Sequence, residues 1–190
     1  MKCAVKAIWM VVAAISLAAS AMAANAEGMT LVSEQVTNGE TFKNQQIYNQ
    51  WGCTGKNTSP ELKWDNIPKG TKSFAVTMYD PDAPTGSGWW HWVVINIPGD
   101  ISSLPLNAGA KGGQNLPEGA SMLRNDFGSR AYGGACPPEH SAPHKYHITV
   151  YALDIPTLGV KSSASPAMAG FYILKHTLAK AVLTAPTNAR

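Results

Sequence analysis

The chain has 190 residues, of which 45% are hydrophobic and only 14% charged, with 17 glycines, 13 prolines and 6 tryptophans. A chain of this length suits one domain with a sizeable core. The many glycines, prolines and tryptophans favour a β-rich domain with long loops over a helical bundle. The formal net charge of +3 is too small to favour nucleic acid or an anionic membrane surface as a partner.

The N-terminus has the pattern of a secretory signal peptide. Lys2 and Lys6 form a basic start, residues 8–19 are apolar and uncharged, and small residues precede Ala23 and Ala26. We expect cleavage after Ala23 or Ala26, since the apolar run is short for a membrane span. The sequence therefore predicts a leader over residues 1–26 and one domain over residues 27–190. That domain would be periplasmic or secreted, without an integral membrane segment, and with 13 basic against 12 acidic residues.

Cleavage of the leader would remove Cys3 and leave two cysteines, Cys53 and Cys136. An even number of cysteines in an oxidising compartment favours a disulfide between them over two free thiols. Such a bond would close a loop of about 84 residues, which the chain-entropy model values at roughly 4.5 kcal/mol.

Several segments have the β-branched and aromatic content of strands and are bounded by turn residues. Strands are predicted over residues 29–36, 62–64, 73–79, 90–97 and 145–153, and residues 123–127 are expected to be extended. The sequence contains no internal repeat and no linker that would divide two domains. These features predict an antiparallel, mainly β domain.

The C-terminal stretch has the pattern of a helix. Ser165 is a suitable N-cap and Pro166 fits the first helical position. Apolar residues then follow at three- and four-residue steps, namely Met168, Phe171, Leu174, Leu178 and Val182. We expect this apolar stripe to pack on the sheet and the helix to end at Pro186.

The loop after residue 79 carries two carboxylates, Asp80 and Asp82, stiffened by Pro81 and Pro84. Aspartates often serve only to form turns. Here, however, the loop leads into a strand headed by His91. Counting by two along that strand places His91, Val93, Ile95 and Ile97 on one face, which is expected to point inward. The Ala83–Pro84 peptide bond is a candidate for the cis form.

A second histidine repeats this arrangement. His144 follows Pro143 at the end of a loop, and alternate positions of the next strand are apolar or aromatic, beginning with Tyr146. One such histidine is usually a core residue, but two of them favour a shared pocket. Imidazole and phenol groups could bind a small anion there while a carboxylate orients a ring.

Other chemistries for this cluster have weaker support. A metal site would use the two histidines and an aspartate, but the sequence has no His-x-His motif to support one. Hydrolysis with histidine as the base is possible, yet no serine lies in a Gly-x-Ser-x-Gly motif and both cysteines are expected to be oxidised. We therefore predict no metal, no cofactor and no catalytic residue.

Several ordered motifs span nearly all of the mature chain. They are Asp80-Pro81-Asp82-Ala83-Pro84, Trp90-His91-Trp92, Tyr132-Gly133-Gly134, Pro137-Pro138 and His144-Lys145-Tyr146, with further matches in residues 55–60 and 124–128. In this order and spacing they resemble the phosphatidylethanolamine-binding protein (PEBP) family, in particular its bacterial Raf-kinase-inhibitor-like branch of the YbhB/YbcL type.

The resemblance implies a β-sandwich, with a large central antiparallel sheet, a smaller sheet and a C-terminal helix. It also implies a pocket for phosphate-like or carboxylate groups. The pocket residues implied are Asp80, Asp82, His91, Pro138, His144 and Tyr146, with Gly133 and Gly134 shaping the rim. The chain departs from the family's usual pattern at Ala135, at residues 140–142 and at Lys145, where arginine is common.

The expectation is therefore an exported, non-catalytic protein that binds a small anion such as phosphate, phosphoethanolamine or a carboxylate. The alternative is a protein-interaction module that inhibits or modulates a secreted or host protein through the loop at residues 139–143. A histidine-based hydrolase is a weaker third hypothesis. The sequence leaves open a homodimer and the identity of any protein partner.

Overall fold

A computed structural model describes residues 28–188, so the expected leader lies outside the described residues. The strands are β1 (Thr30–Val32), β2 (Leu62–Asp65), β3 (Ser73–Asp80), β4 (Trp89–Pro98), β5 (Ser103–Leu104), β6 (Ser121–Met122), β7 (His144–Leu153) and β8 (Thr177–Thr187). A 3-10 turn spans Asn44–Gln46, and one α-helix, α1, spans Pro166–His176. Within residues 28–188, no helix is long and apolar enough to cross a membrane.

The strands form two antiparallel sheets, as the mainly β prediction requires. The small sheet has the order β1-β2-β5 and the large sheet has the order β6-β4-β3-β7-β8. One core cluster joins the two sheets, for example where Trp64 of the small sheet meets Phe74 of the large sheet with ring centroids 5.2 Å apart. A second cluster lies on the other face of the large sheet, beneath Ala169 and Ile173 of α1. The large sheet is therefore covered on both faces.

Most of the predicted strands are present with small changes in their ends. The first is shorter than expected, since only Thr30–Val32 pairs with β2. Residues 123–127 form no strand, although the neighbouring pair Ser121–Met122 adds β6 to the edge of the large sheet. Strands β5 and β6 have two residues each and were not predicted, because such short segments carry no detectable periodicity.

Strand β4 contains a bulge at His91. In the ladder with β3, Met78 lies opposite Trp92 and the next residue, Tyr79, lies opposite Trp90. His91 is thus an extra residue on β4, with no partner across the ladder. A bulge of this kind bends the strand and redirects a side chain.

The prediction that His91, Val93, Ile95 and Ile97 share one inward face is wrong. Val93 and Ile95 belong to the cluster beneath α1, whereas Ile97 belongs to the cluster between the sheets. Two irregularities break the period of two, one at His91 and one beside Asn96, whose φ is +58°. Because both faces of the sheet are covered, the alternation also could not separate inside from outside.

The prediction of one helix up to Pro186 is also wrong. Helix α1 ends at His176, and residues 177–187 form strand β8, which pairs with β7 at the edge of the large sheet. Ala181, Leu183 and Ala185 of β8 face the core. Pairing with β7 supplies a ladder of hydrogen bonds along ten aligned residues, which outweighs the local helical pattern.

The helix begins as predicted but packs through a different face. The Ser165 hydroxyl accepts a hydrogen bond from the Met168 backbone N–H at 3.2 Å, as expected of an N-cap. The residues of α1 that are buried are Pro166, Ala169 and Ile173. All members of the expected core-facing stripe are exposed: Met168 (55%), Phe171 (67%), Leu174 (62%), Leu178 (44%) and Val182 (41%).

Candidate ligand-binding site

Three strand ends meet at one edge of the large sheet. Strand β3 ends at Asp80, and its antiparallel neighbours β4 and β7 begin near the same level, at Trp89 and His144. The topology therefore brings Asp80, His91 and His144 together, although they are far apart in the sequence.

These residues border a cavity of about 260 Å³. Of the residues expected to bind a ligand, Asp80, His91, Pro138 and His144 line it. The remaining lining residues are Trp51, Ala83, Pro84, Thr85, Trp89, Phe127 and Cys136. No lysine or arginine belongs to this wall as far as the described residues go, so its ionisable groups are the carboxylate and the two imidazoles.

Asp80 and His144 form a buried pair. The His144 Nδ1 atom lies 2.7 Å from Asp80 Oδ2, and the two residues are only 4% and 3% exposed. The other carboxylate oxygen of Asp80 accepts a hydrogen bond from the Asp82 backbone N–H at 2.9 Å. This second contact fixes the carboxylate at the start of the loop, so the imidazole ring is held in one orientation.

Asp82 lies beside the cavity and does not line it. Its carboxylate is on the exposed side of the loop and accepts a hydrogen bond from the Lys145 backbone N–H at 2.7 Å. Asp82 thereby ties the loop after β3 to the start of β7. The Ala83–Pro84 peptide bond in this loop is trans.

His91 is held by the backbone of a distant loop. Its Nδ1 atom lies 2.8 Å from the Gly133 carbonyl oxygen and 3.1 Å from that of Gly134. Because His91 lies in a bulge, its own carbonyl is free to accept from the Gly133 N–H and the Asn125 side chain, each at 3.0 Å. Burial lowers the pKa of His91 to about 4, so this imidazole is neutral at neutral pH.

Gly133 and Gly134 lie behind the cavity wall, where they support His91. A Cβ atom on Gly134 would come within 2.4 Å of the Gln46 carbonyl oxygen and the Tyr48 nitrogen, and one on Gly133 would come within 2.5 Å of the Phe127 ring. Only glycine therefore permits this close approach. The Gly134 N–H also donates to the Asn57 side chain at 2.7 Å.

Tyr146 is fully buried beneath the two histidines. Its ring centroid lies 5.1 Å from that of His91 and 6.5 Å from that of His144. The hydroxyl faces Asp80 and the Cys136 backbone but meets neither with hydrogen-bonding geometry. Burial, reinforced by the charge of Asp80, raises the pKa of the phenol above its ordinary value. In this structure Tyr146 forms the floor under the imidazoles and is not part of the cavity wall.

The structure contains the expected disulfide between Cys53 and Cys136, with an S–S distance of 2.05 Å. Cys136 itself lines the cavity, and Pro138 follows it on the same wall. The bond therefore links the loop after His91's supporting glycines to the early part of the chain around residue 53.

Sequence reasoning missed an aromatic wall formed by Trp51, Trp89 and Phe127. The ring centroids lie 4.9 Å apart for Trp51 and Phe127 and 5.5 Å apart for Trp89 and Phe127. No spacing rule connects these positions. The only available signal was the disulfide, since Trp51 lies two residues before Cys53 and must follow it toward Cys136.

The fold and the site together define a class of protein, a two-sheet sandwich with a small cavity at the edge of the larger sheet. The family model described as phosphatidylethanolamine-binding protein matches residues 32–188. The chain belongs to the phosphatidylethanolamine-binding protein family.

Two relatives from Escherichia coli strain K12 support this assignment. The chain is 46% identical to YbcL over 168 residues, covering 88% of this chain and 92% of YbcL. It is 48% identical to YbhB over 157 residues, covering 83% of this chain and 98% of YbhB. The crystal structure of E. coli YbcL superimposes with a TM-score of 0.83 at 45% identity, covering 85% of this chain and 99% of YbcL. Within residues 28–188, no group of three or more histidine, cysteine or acidic side chains is arranged to hold a metal ion.

Proposed function

We propose that this protein is an exported, non-catalytic binding protein whose cavity takes a small anionic group of the phosphate, phosphoethanolamine or carboxylate type. The observation that carries the proposal is the convergence of His91 and His144 on one cavity, each with its Nδ1 atom already engaged. Each ring is fixed through that atom, which leaves Nε2 for a ligand. A rigid pair of imidazoles beside one carboxylate, in a cavity whose other walls are largely aromatic and apolar, is suited to one small polar group.

A binding role is favoured over catalysis by the neighbours of the two histidines. Their Nδ1 partners are backbone carbonyls and a carboxylate, and no hydroxyl or thiol is hydrogen-bonded to either ring in the described part of the chain. The nearest thiol candidate, Cys136, is in a disulfide. Nucleophilic catalysis would need an activated nucleophile within hydrogen-bonding reach of a base. We accordingly expect no turnover of p-nitrophenyl phosphate or acetate above the uncatalysed rate.

Export is supported by two independent features. The N-terminal pattern is that of a signal peptide, and a disulfide is characteristic of proteins in oxidising compartments. Cell fractionation of the native full-length chain tests this part, and recovery of the uncleaved chain in the cytoplasm with reduced cysteines would contradict it.

The binding site is tested with the double variant His91→Asn and His144→Asn. Asparagine keeps a donor near the position of Nδ1, so the support contacts can persist while both Nε2 atoms are lost. Each hydrogen bond to a charged group contributes roughly 1.5–3 kcal/mol, so affinity for O-phosphoethanolamine should fall more than a hundredfold for the pair. The measurement is equilibrium binding by calorimetry.

The matched control is His147→Asn on the same strand. The His147 ring points to the opposite side, where Nδ1 lies 2.9 Å from the Thr184 hydroxyl. This variant should bind as the wild type does. Unchanged binding by a correctly folded double variant would refute the assignment of the site.

A second candidate function, association with another protein surface, is favoured by the outer face of α1. Met168, Phe171 and Leu174 lie at three-residue steps on this face and are each more than half exposed. A contiguous exposed apolar patch of this kind is uncommon on a monomer unless it binds something. The loop at residues 139–143, expected to carry specificity, is also exposed apart from the half-buried Ser141.

The occupant that we propose for this face is a second copy of the chain. A two-fold contact would cover the same patch on both copies at once. The outer edge of β8, which follows α1 in the chain, supports this occupant. The N–H and carbonyl of Thr184 point away from β7 and bond to Asn38 and Gly39. By the alternation of an antiparallel ladder, the backbone groups of Lys180 and Val182 also point away from β7, where a second copy could pair with them. Sedimentation of the wild type should give a dimer, and Phe171→Glu with Leu174→Glu should give a monomer. A monomeric wild type at high concentration would exclude this occupant.

A further inference from the structure

The hydrogen bonds around the cavity determine which ring nitrogens carry protons. The Nδ1 atom of His91 faces two carbonyl oxygens, which can only accept hydrogen bonds. Nδ1 must therefore be protonated, and in the neutral ring Nε2 is an acceptor. The same reasoning applies to His144, whose Nδ1 donates to the Asp80 carboxylate.

The cavity thus presents acceptors to a ligand. In the neutral form of each ring the Nε2 atom is an acceptor, and Asp80 adds a negative charge behind His144. Among the buried side-chain polar atoms of the described residues, the one lining donor without a partner is the indole N–H of Trp89. A bare anion would meet lone pairs and a like charge, so it would be repelled.

Among the described residues, no lysine or arginine lines the cavity to compensate for this. On β3 and its loop the charged groups are Asp80 and Asp82, and Asp82 is turned to the Lys145 backbone. On the loop before β7, Asp126 accepts from the Trp90 N–H at 2.8 Å and Arg130 donates to the Ser162 carbonyl at 2.9 Å. The other titratable groups of this loop near the site, Arg124, Glu139 and His140, are exposed and do not line the cavity. From β7 the neighbours are the Tyr146 phenol and the exposed side chain of Lys145, which does not line the cavity. The carboxylate whose charge acts on His91 is that of Asp80.

Building on the proposed function, we infer that the cavity binds its anion together with one proton, which resides on His144. The imidazolium would then lie between the Asp80 carboxylate and the anion, with both of its N–H groups donating to negative oxygens. His91 is the poorer carrier because its Nδ1 partners are neutral carbonyls and its burial opposes a charge. It stays neutral and accepts a hydrogen bond at Nε2.

This arrangement sets a preference among anions. The ligand must offer an oxygen to His144 and a donor to His91. A phosphate or phosphate monoester that retains one hydroxyl meets both requirements, and so does a zwitterion whose ammonium reaches His91. Sulfate has no hydroxyl in the neutral pH range, so it can satisfy His144 but leaves His91 without a donor. We expect sulfate to bind roughly tenfold more weakly than phosphate, the value of one hydrogen bond to a charged group.

Calorimetric titration with inorganic phosphate and with sulfate, in two buffers of different ionisation enthalpy at about pH 7.5, measures the protons taken up. We expect about one proton for each sulfate bound, and a sulfate affinity that falls about tenfold for each unit of pH above neutrality. Sulfate is the decisive probe because it carries no proton at this pH, so any proton in its complex is taken up from the solvent. If the anions bind but the sulfate complex forms without proton uptake, this inference is overturned and the proposed site remains intact. No heat with either anion, or with O-phosphoethanolamine, would overturn both.

His144→Asn identifies the carrier of the proton. This variant should bind phosphate more weakly than the wild type does. Its sulfate complex, measured in the same pair of buffers, should form without uptake of a proton by the protein. His144→Gln, which also lacks a titratable ring, takes its place if His144→Asn does not fold. Proton uptake of about one in either folded His144 variant would rule out His144 as the carrier. His147→Asn is the matched control and should keep both the affinity and the proton.

Discussion

The cavity and the outer face of α1 are opposite in character. The cavity is built from polar side chains that are almost completely buried, each held by named contacts, as for Asp80 and His144. The outer face of α1 is built from large apolar side chains that are mostly exposed, such as Phe171 at 67%. In both places the burial is the reverse of what residue type alone favours.

The two regions are stabilised by different kinds of contact. The polar residues of the cavity can be buried because backbone carbonyls, backbone N–H groups and carboxylates satisfy them. The apolar residues of the helix can be exposed because the fold already packs the smaller face formed by Ala169 and Ile173. The outer face of α1 is therefore not used to pack the helix on the sheet.

The largest expected effect is on stability, and it distinguishes the buried face of α1 from its outer face. Ile173→Ala should destabilise the domain by about 2–5 kcal/mol, because Ile173 is 1% exposed and its truncation leaves a cavity beneath α1. Leu174→Ala, at the next position, should change the free energy of unfolding by less than about 0.5 kcal/mol because Leu174 is 62% exposed. Urea denaturation of a dilute sample measures both. Equal losses for the two variants would show that the outer face is part of the core.

A second prediction concerns the pH dependence that the cavity imposes. The pKa of His91 is about 4 in the folded protein, below its ordinary value of 6.5. Between those pH values the unfolded chain binds a proton that the folded protein does not, so stability should fall as pH is lowered through this window. The contribution reaches up to about 3 kcal/mol and should level off below the folded pKa.

The measurement is the free energy of unfolding of the wild type and of His91→Asn at several pH values from neutral to acidic. The free energy of unfolding of the wild type, relative to that of His91→Asn, should decrease as the pH falls. His140→Asn, which removes an exposed loop imidazole, is the matched control for the substitution. A pH-independent difference would mean that His91 is not buried as a neutral ring.

A smaller pair of effects compares two glycines, one behind the cavity and one in the helix. Gly134→Ala should cost about 1–3 kcal/mol and weaken ligand binding, because its Cβ would meet backbone atoms of Gln46 and Tyr48 at 2.4 Å. Gly170→Ala should instead stabilise by about 0.5–1 kcal/mol, since alanine favours a helix and its Cβ would make an ordinary 3.6 Å contact with Trp90. Thermal denaturation with binding as a second readout tests both. The two substitutions should change the melting temperature in opposite directions. A stabilising Gly134→Ala would contradict the close approach of Gly134 to the backbone of Gln46 and Tyr48.

Much of the site was predictable because its residues mark strand ends. Asp80 and His144 each border a clear strand, and antiparallel pairing of β3 with β7 brings those ends together. Tyr146 was correctly assigned to the inward face of β7, but its depth was not predictable, since alternation gives the face and not the distance from the surface. The bulge that turns His91 toward Tyr146 depends on pairing with β3 and on the loop at residue 133, which no local pattern encodes.

The family, the main strands, the cysteine pair and the histidines of the cavity can be identified from the sequence, because they follow from motifs and from short-range periodicity. Tertiary structure alone decided the end of α1 and the exposure of its apolar stripe. Residues 177–187 have apolar positions that suit either a helix or a strand, and only the unpaired edge of β7 selects the strand. Once β8 occupies that edge, α1 is left with room to bury one narrow face, so Phe171 and Leu174 remain outside. Periodicity describes a residue's neighbours along one element, whereas burial depends on which other elements arrive to cover it.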